Sequence, residues 1–416
     1  MFNSTTLRAR TTLNSRFGPS LRWAGAGLCL CALAVLVACG GGGGGDATTA
    51  GSNTGGNATA SAYTAGAISG FGSIIVNGVR FDDSSADVLD DDGVRHGRDE
   101  LKLGTQVEIE SGSLNRTTQR ASASIIRFGS ALLGPVEAIN AASNQLTVLG
   151  QTVEVATTTV FSDGLSGGLS AITTGMVLEV HARLDTARAV YVATRIEAET
   201  GATAYQVRGT VASLDTTAKT FRIGNAVINY AGVATVPTGL ANGSNVRASL
   251  QTTAVNGQWV ATALKSAERK VGNHSESEVH GLITAFTSVT AFSVDGLAVD
   301  ATNASFPDGQ TGVVLGARVE VEGPVVNGVL VATKVSVEDE SHDGRGEDYE
   351  LHGAISGLDT TAKTFTLRTL KVSYASVTLW RGITEAQLAN GATVEVKGSL
   401  SADRSTLTAS RISRED

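Results

Sequence analysis

The densest set of residues able to do chemistry is acidic: Asp82, Asp83, Asp87, Asp90, Asp91 and Asp92, followed by Asp99-Glu100. Clustered carboxylates are hard oxygen ligands, and Ca²⁺ takes about six to eight of them. Asp82, Asp83, Asp90 and Asp92 are the candidate calcium ligands. Asp90-x-Asp92-Gly93 supplies two of the three spaced acids of a helix–loop–helix calcium loop, with Val88 where the first belongs. The competing reading is a solvated acidic hairpin that blunts a sheet edge and keeps the protein in solution. No cofactor is expected, and calcium is the one ion these residues could hold.

Six histidines occur: His96, His181, His274, His280, His342 and His352. None forms the i, i+4 pair of a helical zinc site, and none has a cysteine partner nearby. His274, His280 and His342 fall in or beside charged segments, and His352 opens a strand, so solvated linker positions are expected. The alternative is a weak transition-metal site between Glu338 and His352. Gly112-Ser113 and Gly243-Ser244 lack the flanking pattern of a nucleophile elbow. The glycine-rich stretches lack the Lys-Ser/Thr of a phosphate loop. The carboxylate pairs sit in turns without an apolar pocket to tune them. The expectation is a protein that is not an enzyme.

The elements that carry these residues begin after an address. Arg8, Arg10, Arg16 and Arg22 precede an apolar run, Trp23 to Ala38, which is shorter than the ~20 residues of a spanning helix. The run ends in Leu36-Val37-Ala38-Cys39, which resembles a bacterial lipobox. That resemblance implies cleavage before Cys39, diacylation of its thiol and acylation of the new amino group. Residues 1–38 are then a lipoprotein signal peptide. Gly40 after the cysteine implies sorting to the outer membrane of a Gram-negative bacterium. An ordinary secretory signal with an incidental Cys39 is the alternative. Residues 39–62, with six glycines from Gly40 to Gly45, form a flexible tether.

The whole chain has 416 residues, Lys+Arg 32 and Asp+Glu 40, a net charge of −8, 49 glycines and 5% aromatics. Removing the leader takes four arginines and no acid, leaving 28 basic against 40 acidic residues. Cys29 and Cys31 leave with it, so no disulfide remains. An acidic, aromatic-poor chain lacks the positive groove and stacking platforms of a nucleic-acid binder. Phe71, Tyr205, Trp259, Phe286 and Trp380 are candidate platforms for a glycan or peptide, and core packing is their competing role.

One unit recurs five times. A glycine opening an apolar segment stands at Gly66, Gly134, Gly209, Gly281 and Gly353. A second glycine, at Gly104, Gly175, Gly243, Gly316 and Gly391, leads into an alternating strand such as Val107-Glu108-Ile109-Glu110. An Ala-Ser/Thr pair marks a last strand at Ala123, Ala193, Ala261, Ala332 and Ala409. The last copy reads as three strands, a short helical turn from Ile383 to Ala389, then two strands. That is the element order of an OB-type barrel, and closure hides the edges of such short strands. The fold expected is all-β: five tandem OB-like modules at residues 63–132, 133–201, 204–270, 278–339 and 349–416. Neighbouring copies should lean on each other, because each is near the size limit for a core without disulfides. Gly129 to Leu133 should join the first two rigidly. Lys270 to Glu278 and Glu338 to Glu350 should be exposed, mobile linkers.

The run Gly66-Ala67-Ile68-Ser69-Gly70-Phe71-Gly72-Ser73-Ile74-Ile75-Val76-Asn77-Gly78-Val79-Arg80-Phe81-Asp82, followed by Leu103-Gly104, resembles the opening module of bacterial lipoproteins with tandem copies of domain of unknown function 5666. The match is best over residues 66–127, and later copies keep only the anchors. The resemblance implies a small β module on a Gram-negative lipoprotein and no activity. The expectation is a non-catalytic, lipid-anchored binding or spacer array. Its alternatives are a calcium-responsive array and a glycan- or peptide-binding surface protein. The partners are the membrane, through the anchor, and an envelope, glycan or protein ligand, with no nucleic acid.

Overall fold

Strand-forming residues alternate with tight turns throughout, and each group of five strands closes on itself. The computed structural model describes residues 62–165, 167–338, 349–368, 370–401 and 406–414. The signal peptide, Cys39, nearly all of the tether, His342 and most of the Glu338 to Glu350 segment lie outside them.

Barrel one shows the plan. Its first strand (Ala62–Phe71) pairs antiparallel with the second (Ile74–Val76), which pairs with the third (Val79–Asp82). The third runs parallel to the last (Arg120–Phe128), the last antiparallel to the fourth (Gln106–Ser111), and the fourth returns to the first. The ring 1-2-3-5-4-1, with one parallel contact, leaves no open edge. Barrels two (132–198), three (205–266), four (276–337) and five (349–414) repeat it, each with its single type of parallel closure between third and fifth strands. The all-β, OB-like expectation holds.

Identical letters build identical turns. Asp215 accepts hydrogen bonds from the Thr217 and Ala218 amides, and Asp359 does so from Thr361 and Ala362. Each turn ends on a lysine with positive φ, Lys219 and Lys363, whose ammonium sits over Tyr230 or Tyr374. The helical turn of barrel five is Glu385–Gln387, held by a Thr384/Gln387 capping box.

Each barrel buries alternate residues of its strands, such as Val107 and Ile109, Val319 and Val321, or Val394 and Val396. The cores do not stay separate. Barrels two and three share one apolar cluster, barrels one and five share another, and Tyr63 and Ala65 of barrel one enter the core of barrel four. The first strand of barrel one pairs in parallel with the first strands of both barrel four (Ala62↔Glu276 to Ala65↔Val279) and barrel five (Gly70↔Glu350). Glycine is needed here for approach: a Cβ on Gly70 would meet the Glu350 carbonyl oxygen at 2.2 Å. A Cβ on Gly104 would meet the Thr194 carbonyl of barrel two at 2.3 Å.

The Lys270 to Glu278 segment corrects its expectation. Val271, His274 and Ser277 are buried. His274 exchanges backbone hydrogen bonds with Val325 and packs against the Tyr63 ring. The segment lies on barrel four because its apolar Val271 and its backbone groups find partners there. Gly129 to Leu133 does bind its neighbours: Ala131 and Leu132 are buried, and the Gly129 carbonyl lies 3.1 Å from His181 Nδ1.

Candidate functional site

On the fourth strands the residues between core positions point out of the barrel and are charged: Glu108, Glu179, Arg247, Glu320 and Glu395. Strand periodicity alone would put them in water. Most are covered, because a neighbouring barrel lies over that face. Barrel one is the hub. Lys102 pairs with Glu197 of barrel two at 3.3 Å, and Arg116 with Glu322 of barrel four at 2.8 Å. Arg80 pairs with Glu350 of barrel five and lies 3.5 Å from Glu395. Arg195 of barrel two donates to the Leu103 carbonyl at 3.0 Å.

The acidic loop serves the same purpose. Asp91 accepts from Arg208 of barrel three at 2.6 Å, and Asp92 accepts from Arg247 and, at 2.7 Å, from Lys265. The other acids turn inward on their own hairpin. Asp90 accepts from the Asp92 and Val94 amides and lies 3.1 Å from His96 Nε2. Asp87 holds Arg95 in a two-point pair, Asp83 faces Arg98 at 3.7 Å, and Asp82 accepts from the Ser84 amide, which lowers its pKa. The structure thus spreads Asp82, Asp83, Asp90 and Asp92 over separate partners.

Two other clusters do converge. Among the described residues, Glu278, His280 and Glu320 bring one ligand-capable atom each to within 4.8 Å of one another, and so do Glu350, His352 and Glu395. The two are structural equivalents: His280 faces Glu320, and His352 faces Glu395, across the first and fourth strands. His280 Nε2 lies 3.1 Å from Glu278 and Nδ1 2.5 Å from Glu338. Burial opposes the charge on this ring, but the hydrogen bonds to the two carboxylates prevail and raise its pKa to about 9. Glu338 is held down to about 2 against its burial by His280 and Arg318. His181 contrasts: fully enclosed, with its Nε2 only within 4.0 Å of Glu179, it is pushed down to about 4 by burial.

The expectation of solvated linker histidines is therefore overturned for His274, His280 and His352. Their covering barrel is supplied from elsewhere in the chain. A signal was present: Glu278-Val279-His280-Gly281 and Glu350-Leu351-His352-Gly353 share Glu-x-His-Gly on the repeat's own opening glycine.

Where barrels one, two, four and five meet there is a cavity of about 280 Å³, lined by Glu154, Arg183, Asp185, Arg188, Thr194 and Tyr349 among others. Arg188 is fixed by Asp185 and Glu154, both at 2.6 Å. Tyr349 donates to the Thr158 carbonyl at 2.8 Å. Of the candidate aromatic platforms, Tyr205 and Trp259 pack edge to face at 5.8 Å, and Phe71 lies under the Arg368 guanidinium. Trp380 packs partly buried on the barrel one–five core, and Phe286 is 38% exposed.

Residues 134–197, 280–336 and 352–413 match the model of a family described as Domain of unknown function (DUF5666). These stretches lie in barrels two, four and five, rather than over residues 66–127, where the likeness was expected to be greatest. Barrel one carries the long acidic insertion between its third and fourth strands. No curated protein matches the chain. Among solved structures, "drosophila Unr CSD456" aligns at 15% identity over 50% of this chain and 97% of that chain, with a TM-score of 0.14.

Proposed function

The chain carries tandem DUF5666 modules, and from that premise we propose that it is a non-catalytic, lipid-anchored envelope protein whose five barrels act as one binding body. The observation that carries this reading is the interlocking of barrel one with the other four. Its first strand is shared with two neighbours, and its charged side chains pair with those of all four. A spacer gains reach from independent beads joined by linkers; this arrangement gives up reach for a fixed junction. The junction surrounds a cavity of about 280 Å³ with a mixed polar and apolar lining. That volume is at the lower end for small-molecule sites, and its fixed carboxylates and guanidiniums suit a small polar ligand such as a saccharide or a short peptide end.

The test uses the full chain purified in detergent. Thermal shift against envelope saccharides and short peptides should find a ligand that raises the melting temperature, and Arg188→Ala should remove the response. Labelled fatty acid should enter the wild-type chain and not Cys39→Ser. Turnover of any substrate in a hydrolase panel, or acylation of Cys39→Ser, would refute the corresponding part of the proposal.

A further inference from the structure

We infer that Glu278, His280 and Glu320 of barrel four form a binding site for a divalent first-row transition ion such as Zn²⁺. This goes beyond the binding role proposed above and does not depend on it. One imidazole with two carboxylates is a donor set of intermediate hardness, suited to zinc or its neighbours. Four-coordinate zinc needs donors about 3.4 Å apart, from metal–ligand bonds of about 2.0–2.2 Å. The three atoms already lie within 4.8 Å of one another, and His280 Nε2 is 3.1 Å from Glu278. Side-chain rotation alone closes the difference. The strands supply rigidity: Glu278 and His280 are alternate residues on one face, and Glu320 is the direct cross-strand neighbour of His280.

The outer shell has the form metal sites use. The second ring nitrogen of a metal-bound histidine is held by a carboxylate that fixes its orientation. Here His280 Nδ1 is 2.5 Å from Glu338, which Arg318 holds in turn. His280 Nε2 is thereby aimed at Glu278 and Glu320; an incoming ion replaces the proton on Nε2, which leaves to solvent, while Nδ1–H stays on Glu338. Lys334, 3.0 Å from Glu320 and 2.8 Å from Glu322, is the cation an incoming ion displaces from Glu320, and Glu322 can retain it.

Barrel five is the internal control. It has the same three residue types at the same register, but Glu350 is engaged by Arg80 and by Lys397 at 2.6 Å, and Glu395 by Arg411. Fixed cations at both carboxylates oppose a second positive ion. Among the described residues, Glu278 makes its ion pair with His280 alone. Barrel four therefore binds and barrel five does not.

The experiment titrates the chelator-treated full chain with Zn²⁺ by calorimetry and with Co²⁺ by absorption. One equivalent should bind, with cobalt ligand-field bands and without the intense charge-transfer band of thiolate ligation. His280→Gln and Glu278→Gln should each weaken binding roughly 10-fold or more, Glu338→Gln somewhat less, and His352→Gln should leave stoichiometry and affinity unchanged. Unliganded melting curves and near-ultraviolet circular dichroism identify any variant that fails to fold, and Glu278→Gln is the mildest substitution. Unchanged binding in folded His280→Gln or Glu278→Gln, a thiolate band, or no saturable uptake would overturn the assignment.

Discussion

The acidic loop of barrel one and the Glu-x-His-Gly segment of barrel four make opposite use of their charge. The loop packs six aspartates into eleven residues, Asp82 to Asp92, yet its carboxylates diverge to Arg95, Arg98, Arg208, Arg247 and Lys265. The barrel four segment contributes only Glu278 and His280; a further strand brings Glu320 to them, and the residue after the last strand is Glu338. Density along the chain and convergence in space are separate properties. A hairpin turns successive side chains to alternate directions, whereas neighbouring strands place distant residues face to face.

The comparison can be broken most severely at the loop's buried partner. Arg247 is 8% exposed and donates to Asp92 and Gln206, so Arg247→Ala should cost about 2–3 kcal/mol through the lost packing and charge-assisted hydrogen bonds of the guanidinium, while Asp92, open to solvent, keeps Lys265. Chemical denaturation compared with wild type reads this directly, and a loss below about 0.5 kcal/mol would mean that the latch is only a surface pair.

A similar effect should appear at His181, whose Nε2 lies 4.0 Å from Glu179. Its folded pKa of about 4 lies below the ordinary value of 6.5, so its neutral form stabilises the fold above the ordinary pKa. That contribution should be lost as pH falls from about 6.5 through 4, to the extent of about 3 kcal/mol. His181→Phe should flatten this part of the acid limb in melting curves taken between pH 7 and pH 4. An acid limb identical to wild type would show that the ring is not enclosed in solution.

A smaller change is expected from Asp92→Asn. Asp92 is 43% exposed on its side chain, and its amide still accepts from Arg247, so the cost should be about 1 kcal/mol. A larger loss would make the loop carboxylate, rather than the guanidinium it covers, the keystone of the contact. The smallest effect is that of calcium. Because the loop acids have separate partners, millimolar Ca²⁺ should stabilise the chain by less than about 0.5 kcal/mol, against a larger shift with Zn²⁺ through the barrel four site. A calcium-induced rise in melting temperature that Asp90→Asn removes would reverse the comparison.

Much of the fold was legible because it is local and repeated. Asp215 to Lys219 and Asp359 to Lys363 are the same five letters and form the same turn, with one aspartate accepting two amides and one lysine in the left-handed region. The alternation of Val107-Glu108-Ile109-Glu110 states which side chains enter the barrel. The candidate site was less legible. Glu278, His280 and His352 have polar side chains in charged surroundings, and a linker on the surface has that composition too.

The sequence by itself determined the unit: its five strands, its turns and the inward face of each strand, since hydrophobic period and turn chemistry act over a few residues. Only the tertiary structure decided what covers the outward faces. Whether Glu350 meets water or Arg80 depends on Gly70 bringing two first strands together across 280 residues of chain, from Gly70 to Glu350. An outward-facing charge is equally compatible with solvent and with an oppositely charged neighbour; the packing of one barrel on another selects between them, because a covered carboxylate is stable only with its cation in place.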